Sequence, residues 1–431
     1  MGVKKYKVLI LAEAANPEWT SVPLIGWSYT EAIGRVCDIH LVTQIRNKEA
    51  IERHGWTEGR EFTALNTEFI AKPINILSRI IRGGDKLAWT VATAFQSFIY
   101  PYFEYKCWKT FSHRLKSGEF DVVHRVTPVS PTAPSYLAKK LKSIGVPFVV
   151  GPMNGGVDWP VQFSDRKKQE KEWLTKFRQA YKFLPGYKSM RKTSSAILAG
   201  SRAVQQQLPE YTNKQVLYMP ENGIDTQRFE LGIRKSHVKH PLRAAFIGRL
   251  VPYKGVDMAI NAIEHAALKG EIYYDIFGAG PEMSKLRGQI ESLGLEKSIT
   301  LHGNVQHSEL TAYLKDIDVL IFPSIREFGG GVILEAMACG IVPIVVDYAG
   351  PSELVDDSCG YLIELGNQQE IEARLKVLIN RIIDNPDDLS EKSKHGILKV
   401  KEKFTWSSKA ENTLRIYSWV LGESDKPELP Y

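Results

Sequence analysis

Short hydrophobic runs alternate with longer amphipathic segments through the first half of the chain. These patterns predict strands at 8–12, 39–43, 122–126, 148–151 and 196–199. They predict helices at 29–35, 136–143 and within 74–111, the last broken at Gly83-Gly84 and at Pro101. Strands and helices that alternate at this spacing form a parallel sheet covered by helices on both faces.

The same alternation starts again in the second half. It predicts strands at 243–248, 273–278, 299–303, 318–323 and 341–346. It predicts helices at 255–268, 281–293, 308–316, 332–339 and 407–421. The expected fold is therefore α/β, with two Rossmann-like, doubly wound parallel-sheet domains and an interdomain cleft. We place the domains at 1–205 and 206–405, followed by a segment at 406–431 whose helix packs back toward the first domain.

The most informative stretch joins the last two of these strands. Glu327 and Glu335 flank the glycines of a predicted strand–loop–helix unit that runs Ser324-Ile325-Arg326-Glu327-Phe328-Gly329-Gly330-Gly331-Val332-Ile333-Leu334-Glu335. Such a loop lies at the carboxyl end of a parallel sheet, where doubly wound folds bind ligands. The start of a helix attracts anions, and glycines allow an anion to approach the backbone. Carboxylates repel a phosphate but accept hydrogen bonds from sugar hydroxyls, so the unit predicts a nucleotide-sugar site.

Two further strand-to-helix loops carry candidate binding residues. The first begins at Gly248 and contains Arg249 and Lys254, two cations that together suit a diphosphate. The second contains Gly278 and Gly280 but lacks the third small residue of a dinucleotide fingerprint. An NAD-dependent oxidoreductase requires that fingerprint and an acidic residue about twenty positions later, so this class is disfavoured.

Polar residues at the ends of first-half strands are weaker candidates. His124 lies at the end of the strand at 122–126, where it either faces the predicted cleft or packs inside the domain. Asn154 follows the next strand and could line the same cleft. Asp316 and Asp318 do not predict a metal site, because alternate residues at a strand start point to opposite faces. We expect no metal and no cofactor.

Composition bounds the class of protein. The chain has 431 residues, 43% of them hydrophobic, and its four cysteines show no paired spacing, which suits a reducing compartment. No uncharged apolar stretch is long enough to cross a bilayer, and the basic N-terminus leads into a first strand instead of a signal peptide. We expect a cytoplasmic protein that binds no nucleic acid.

The net charge of +7 is concentrated in one segment. Residues 165–192 hold ten lysines and arginines against three acids, a difference of +7. Trp173, Phe177, Tyr181 and Leu184 recur at helical spacing within this segment. Such a helix either packs its aromatic face on the domain or lies on an anionic membrane surface, which would place the protein at the inner face of a membrane.

Residues 216–421 resemble family 4 of the retaining glycosyltransferases, which have the GT-B fold. The matching motifs are Gly248-Arg249-Leu250 with Lys254-Gly255, Gly278-Ala279-Gly280-Pro281, Glu327 to Glu335, Ala336-Met337-Ala338-Cys339-Gly340, Gly350-Pro351-Ser352-Glu353-Leu354-Val355 and Pro220-Glu221-Asn222-Gly223-Ile224-Asp225. Before residue 216 the resemblance is mostly architectural. One departure is that Phe-Gly-Gly follows Glu327, where the family pattern is Gly-Phe-Gly.

The resemblance implies a role for each matching residue. Arg249 and Lys254 would hold the donor diphosphate, and Glu335 would accept hydrogen bonds from the ribose hydroxyls. Glu327 would accept hydrogen bonds from the transferred sugar, and residues 329–332 would offer backbone N–H groups. His124 matches the histidine of the acceptor-side domain, near the reacting carbon.

The implied function is retaining, metal-independent transfer of a hexose-type sugar. The donor would be a nucleoside-diphosphate sugar, UDP- or GDP-linked, and the acceptor a hydroxyl of a saccharide or lipid-linked glycan. No carboxylate nucleophile is identifiable in the sequence. The resemblance favours a front-face substitution, in which the leaving phosphate helps to deprotonate the acceptor hydroxyl. The alternative is a catalytically silent protein that binds sugar nucleotides or a membrane surface.

Overall fold

The chain folds into two compact units. The structure is a computed structural model that describes residues 5–69, 89–169, 182, 186–226, 229, 231–232 and 241–431. Unit 1 comprises Met1–Gly156, Lys171–Gly223 and Trp406–Tyr431. Unit 2 comprises Val157–Glu170 and Ile224–Thr405.

Unit 1 is built on a seven-stranded parallel sheet. Its strands are β1 (Lys7–Ala12), β2 (Asp38–Gln44), β3 (Phe62–Leu65), β4 (Val122–Thr127), β5 (Phe148–Met153), β6 (Ala196–Ala199) and β7 (Val216–Tyr218). Their order in the sheet is β3-β2-β1-β4-β5-β6-β7. The order reverses between β1 and β4, which is the topology of a doubly wound fold.

Helices cover both faces of this sheet. They are α1 (Val22–Val36), α2 (Lys48–Arg53), α3 (Trp89–Lys116), α4 (Leu137–Ser143), α6 (Tyr187–Thr193), α7 (Arg202–Gln207) and, from the end of the chain, α15 (Trp406–Val420). Helix α5 (Ser164–Gln169) follows α4 in sequence but belongs to unit 2. One apolar cluster joins α3, α4 and α6 to one set of strand side chains. A second cluster joins α1 and α15 to the alternate set. Because successive strand residues point to opposite faces, the two clusters lie on opposite sides of the sheet.

Unit 2 repeats the design with six parallel strands. They are β8 (Leu242–Ile247), β9 (Ile272–Phe277), β10 (Ile299–Gly303), β11 (Val319–Phe322), β12 (Val342–Val346) and β13 (Tyr361–Ile363), in the order β10-β9-β8-β11-β12-β13. Its helices after α5 are α8 (Val256–Leu268), α9 (Met283–Ser292), α10 (His307–Leu314), α11 (Gly331–Ala338), α12 (Gly350–Leu354), α13 (Gln368–Asp384) and α14 (Asp388–Lys399). The two Rossmann-like sheets confirm the predicted fold class.

The structure places the division between units differently from the sequence. The predicted boundary after residue 205 falls inside α7. Strand β7 pairs with β6, so the chain up to Gly223 remains in unit 1. The predicted helix break at Pro101 is wrong, since α3 runs through it. The proposed break at Gly83-Gly84 lies outside the described residues.

A buried lysine of helix α15 hydrogen-bonds to the segment that follows β7 in unit 1. Lys409 is 1% exposed and donates a hydrogen bond to the backbone carbonyl of Pro220. Burial lowers the pKa of Lys409 to about 7, against the opposing effect of Glu221. Tyr431, whose own pKa is raised by burial, faces the amine from the chain end.

This burial predicts a stability that depends on pH. Between pH 7 and about 10 the unfolded chain keeps Lys409 protonated while the folded chain does not, so stability rises with pH by up to about 1.4 kcal/mol per unit. The Lys409→Met variant should lose this rise, which thermal unfolding of both proteins at several pH values would measure. Parallel curves for the two proteins would contradict the assignment.

Candidate functional site

The predicted binding loops of unit 2 lie at the point where the strand order of its sheet reverses. Strands β8 and β11 are neighbours although β9 and β10 come between them in sequence. The turn after β8 (248–255) and the loop after β11 (323–330) therefore leave adjacent strands at the same edge. Such switch points are where doubly wound folds bind ligands.

Hydrogen bonds join these two loops. Turn 248–255 contains a 3₁₀ turn, Pro252–Lys254. The carbonyl of Tyr253 accepts hydrogen bonds from the backbone N–H of Ile325, at 2.9 Å, and from the Ser324 hydroxyl, at 3.3 Å. Gly255 caps α8 with a φ of 70°, and a Cβ there would lie 2.5 Å from the carbonyl oxygen of Pro323. Close approach of the two loops therefore depends on this glycine.

The side chains of Lys254 and Glu327 form an ion pair between the two loops. The Lys254 ammonium contacts the Glu327 carboxylate, and the two side chains are 12% and 18% exposed. The same ammonium lies 4.6 Å from the centre of the Phe322 ring, a cation–π distance. The sequence predicted both residues as ligand contacts but did not predict that they would contact each other.

The glycine loop ends at the start of a helix, as predicted. Gly330 adopts a left-handed conformation, with a φ of 58°, and α11 begins at Gly331. The first-turn amides, those of Gly331 and Val332, are of the kind that a helix leaves without internal partners. Glu335 lies one turn further along α11 and is half-buried. Gly329 is also half-buried, immediately before the helix cap.

Gly248, Gly278 and Gly280 hold two loops against each other. A Cβ on Gly278 would lie 1.8 Å from the Gly248 carbonyl oxygen, and one on Gly280 would lie 2.1 Å from the Leu250 carbonyl oxygen. The N–H of Leu250 donates to the Ala279 carbonyl at 3.0 Å. The structure thus gives these glycines a packing role that supports the turn carrying Arg249.

Arg249 differs from Lys254 in its surroundings. Its side chain is exposed and makes no hydrogen bond or ion pair with any described residue. It lies two residues after the end of β8, in the same turn 248–255 as Lys254. It is therefore a cation at the switch point that remains available to an anion.

His124 is enclosed within unit 1. It is 0% exposed, Nδ1 lies 2.6 Å from the Tyr417 hydroxyl, and Nε2 lies 2.8 Å from the Gly151 carbonyl oxygen. Burial lowers the pKa of His124 to about 4, so the ring is neutral at pH 7. Of the two interpretations given above, this geometry favours packing. Asn154 is also buried, and its Nδ2 has no hydrogen-bond partner among the described residues.

The arrangement in unit 2 suits a ligand with an anionic part and a hydroxyl-bearing part. Lys254, Arg249 and the start of α11 offer positive charge and N–H donors. Glu327 and Glu335 offer acceptors. Within the described residues, no group of three or more His, Cys, Asp or Glu side chains is placed to hold a metal ion.

Comparison with known families identifies part of unit 2. Residues 229–396 match the family model described as glycosyl transferases group 1. This segment includes Arg249, Lys254 and both glutamates of the glycine loop. This part of the chain is therefore similar to the group 1 glycosyl transferases.

Several curated relatives are glycosyltransferases. The chain is 34% identical over 161 residues to the putative colanic acid biosynthesis glycosyltransferase WcaL of Salmonella typhimurium, a match covering 36% of this chain and 39% of the relative. It is 26% identical over 324 residues to the MMP alpha-(1->4)-mannosyltransferase of Mycolicibacterium hassiacum, covering 72% of this chain and 74% of the relative. The chain thus spans less than half the length of WcaL.

Solved structures share the fold. A glycosyltransferase from Rickettsia africae superposes with a TM-score of 0.62 at 15% identity, covering 98% of this chain and 100% of that one. Anabaena Alr3699/HepE, solved in complex with UDP and glucose, gives a TM-score of 0.58 at 16% identity, covering 96% and 99%. These similarities and the two parallel sheets identify the fold as GT-B.

Proposed function

We propose that the protein is a retaining glycosyltransferase that moves a hexose-type sugar from a nucleoside-diphosphate donor to a hydroxyl acceptor. The observation that carries this proposal is the Lys254–Glu327 ion pair beside the glycine-capped start of α11, at the switch point of unit 2. It combines an anion-binding group with a hydroxyl acceptor at one place. The match of residues 229–396 to group 1 glycosyl transferases supports it.

Each donor group has a candidate partner in this site. Arg249 and Lys254 would bind the diphosphate, and the amides of residues 329–332 would bind phosphate and sugar. Glu335 would accept hydrogen bonds from the ribose and Glu327 from the transferred sugar. We propose a UDP- or GDP-linked sugar as the donor, and a saccharide or lipid-linked glycan as the acceptor.

The ion pair sets a condition on the donor. Lys254 and Glu327 satisfy each other in the structure, so a ligand that takes only the lysine leaves a largely buried carboxylate without its partner. A diphosphate together with a hydroxyl-bearing sugar supplies new partners to both groups at once. We therefore expect the complete sugar nucleotide to bind better than the bare nucleoside diphosphate.

The chemistry follows from where charge develops. As the glycosidic bond breaks, negative charge accumulates on the leaving diphosphate. Cations and helix N–H groups fixed at that position stabilise the transition state more than the ground state. We propose, from the family resemblance, that the leaving phosphate helps to deprotonate the acceptor hydroxyl on the same face, without a metal. His124 is left out of contact with the acceptor, because both of its ring nitrogens are engaged inside unit 1.

The function is tested by screening UDP-, GDP- and ADP-sugars for thermal stabilisation and then for transfer. We expect transfer with retention of the anomeric configuration, which NMR of the product would measure. Stabilisation without transfer or donor hydrolysis would favour the catalytically silent alternative. Stabilisation by none of these nucleotides would contradict the proposed function and would leave only the membrane-binding form of the alternative.

We also propose that unit 1 docks on an anionic membrane surface, through a set of residues that shares only Lys188 and Lys192 with the predicted segment at 165–192. Much of the predicted segment, 170–181 and 183–185, lies outside the described residues. Of its described cations, Arg166 and Arg191 are buried, so they are unavailable to a lipid surface. No described helix is long and apolar enough to span a bilayer.

The better-supported surface is formed by α3, α4 and α6. Eight lysines on these helices make no ion pair with any described residue: Lys106, Lys109, Lys116, Lys139, Lys140, Lys142, Lys188 and Lys192. Aromatic residues lie among them, with Lys140 5.1 Å from the Trp108 ring centre and Lys106 5.9 Å from that of Tyr102. Tyr105 and Tyr136 are 55% and 42% exposed.

Charge reversal of Lys139, Lys140 and Lys142 to glutamate should lower binding to anionic vesicles by at least about a hundredfold, since each lysine near such a surface contributes about 1 kcal/mol. Co-sedimentation with vesicles containing phosphatidylserine measures this. The same reversal of Lys269, Lys297 and Lys315 in unit 2 is the matched control and should have a much smaller effect. Equal binding of the wild-type protein to neutral and anionic vesicles would remove the proposal.

A further inference from the structure

The chain connection between β5 and β6 of unit 1 contains a segment that folds as part of unit 2. Val157–Glu170 belongs to unit 2, although the strands before and after it belong to the sheet of unit 1. We name residues Val157–Arg166 the strap. Three of its apolar side chains are buried, those of Val157, Trp159 and Phe163, at 2%, 8% and 4% exposure.

The end of the strap is fixed by Arg166. Its guanidinium makes a bidentate ion pair with Asp257, with N–O distances of 3.1 and 2.8 Å. It also donates hydrogen bonds to the Gln368 side chain, at 2.9 Å, and to the carbonyl of Pro252. With side-chain exposures of 10% and 12%, the Arg166–Asp257 pair is mostly withdrawn from solvent. Arginine's planar fork suits four such contacts, whereas lysine's single charge does not.

The contact with Pro252 bears on the proposed donor site. Pro252 is the first residue of the 3₁₀ turn that ends at Lys254. The ring of Trp159 packs edge-on against Tyr253, the middle residue of this turn, with ring centres 6.1 Å apart. The strap thus holds the two residues that directly precede Lys254.

The start of the strap holds the other loop. Arg326, the residue before Glu327, is 7% exposed and donates from Nε to the Val157 carbonyl at 3.3 Å. Its guanidinium lies 5.1 Å from the centre of the Trp159 ring. The hydroxyl of Tyr348 donates to the Asp158 carbonyl at 3.0 Å, just beyond β12. Trp159 therefore contacts both loops that carry the Lys254–Glu327 pair.

We infer that the strap is a positioning element of the donor site, with Arg166 and Trp159 as its positioning residues. This inference rests on the proposed function, since it gives the two loops a donor to bind. Neither residue touches Lys254 or Glu327 in the contacts described; they act through Pro252, Tyr253 and Arg326. The strap follows β5 of unit 1 in the chain, and it contacts the two loops through hydrogen bonds and ring contacts.

The test is steady-state kinetics of Arg166→Ala and Arg166→Lys with the donor found by the nucleotide-sugar screen. Misplacing a binding group by about 1 Å can cost a hundredfold in rate, so we expect Arg166→Ala to raise the donor KM about tenfold or more. The acceptor KM should change much less. Arg166→Lys should restore only part of the loss, because lysine lacks the fork.

Matched controls distinguish a positioning role of Arg166 from a role in stability alone. Tyr361→Phe removes a 2.8 Å hydrogen bond to Asp388 elsewhere in unit 2 and should lower the thermal midpoint without raising the donor KM. Val161→Ala changes a strap side chain that is 89% exposed and should leave both unchanged. A donor KM for Arg166→Ala that stays within twofold of wild type, or that rises equally in Tyr361→Phe, would overturn the inference.

Hydrogen exchange on the full chain tests the strap independently of catalysis. Arg166→Ala should speed amide exchange in peptides covering 250–256 and 324–330 relative to the rest of unit 2. If the wild-type protein transfers no sugar, the proposed function fails and exchange alone decides the strap. Unchanged exchange at both loops would then overturn it.

Discussion

Replacing Lys254 with alanine should lower kcat/KM for transfer by at least about a hundredfold, the usual effect of removing one group that stabilises a developing oxyanion. The reason is geometric. The structure holds the ammonium at the switch point of unit 2, 4.6 Å from the centre of the Phe322 ring and beside the loop that leads to α11. A loss confined to kcat would show that Lys254 acts mainly in the transition state.

The Lys254→Ala variant is also expected to be less stable than the wild-type protein, so its activity must be compared at equal folded fraction. Removing Lys254 leaves Glu327, 18% exposed, without its ion-pair partner. We expect that to lower stability by about 1–3 kcal/mol. The double variant Lys254→Ala/Glu327→Gln should recover part of this stability while remaining inactive. Lys269→Ala, which removes an exposed lysine of the same unit, is the control and should retain full activity. Undiminished transfer by Lys254→Ala would refute the diphosphate assignment.

Most of the fold was predictable because the hydrophobic runs are distinct. Strands β8 to β10 of unit 2 and β1, β4 and β5 of unit 1 lie within a few residues of their predicted positions, since each is a buried run bounded by loop residues. Strands β3, β7 and β13, which have four, three and three residues, were not predicted. Pro101 was wrongly predicted to break a helix. Helix α3 continues through it, and the adjacent side chains of Tyr100 and Phe103 are buried in the core of unit 1.

The site was predictable by residue type but not by contact. The sequence named Lys254 and Glu327 separately, and only the adjacency of β8 and β11 brings their loops together. Arg166 was counted among the cations of a basic segment, although it is buried against Asp257. These partners lie 73 and 91 residues apart, and no periodicity in a single sequence encodes such pairings.

The second large effect concerns glycines that were predicted to contact the nucleotide. We expect Gly278→Ala to destabilise unit 2 by about 3 kcal/mol, or roughly 10 °C in thermal midpoint. The added Cβ would lie 1.8 Å from a backbone oxygen, and the residue has a φ of 144°. Gly280→Ala should act similarly, since its Cβ would meet the Leu250 carbonyl oxygen at 2.1 Å.

The alternative role makes a different prediction. If Gly278 served only to let a ligand approach the backbone, alanine would raise the donor KM and leave the thermal midpoint unchanged. A packing role predicts that alanine lowers the thermal midpoint. Activity would then fall as a consequence, because the turn that carries Arg249 is displaced. Gly288→Ala is the matched control, because this exposed glycine of α9 has no atom within 4 Å of the added Cβ. There alanine should stabilise the protein by up to about 1 kcal/mol through its higher helix propensity.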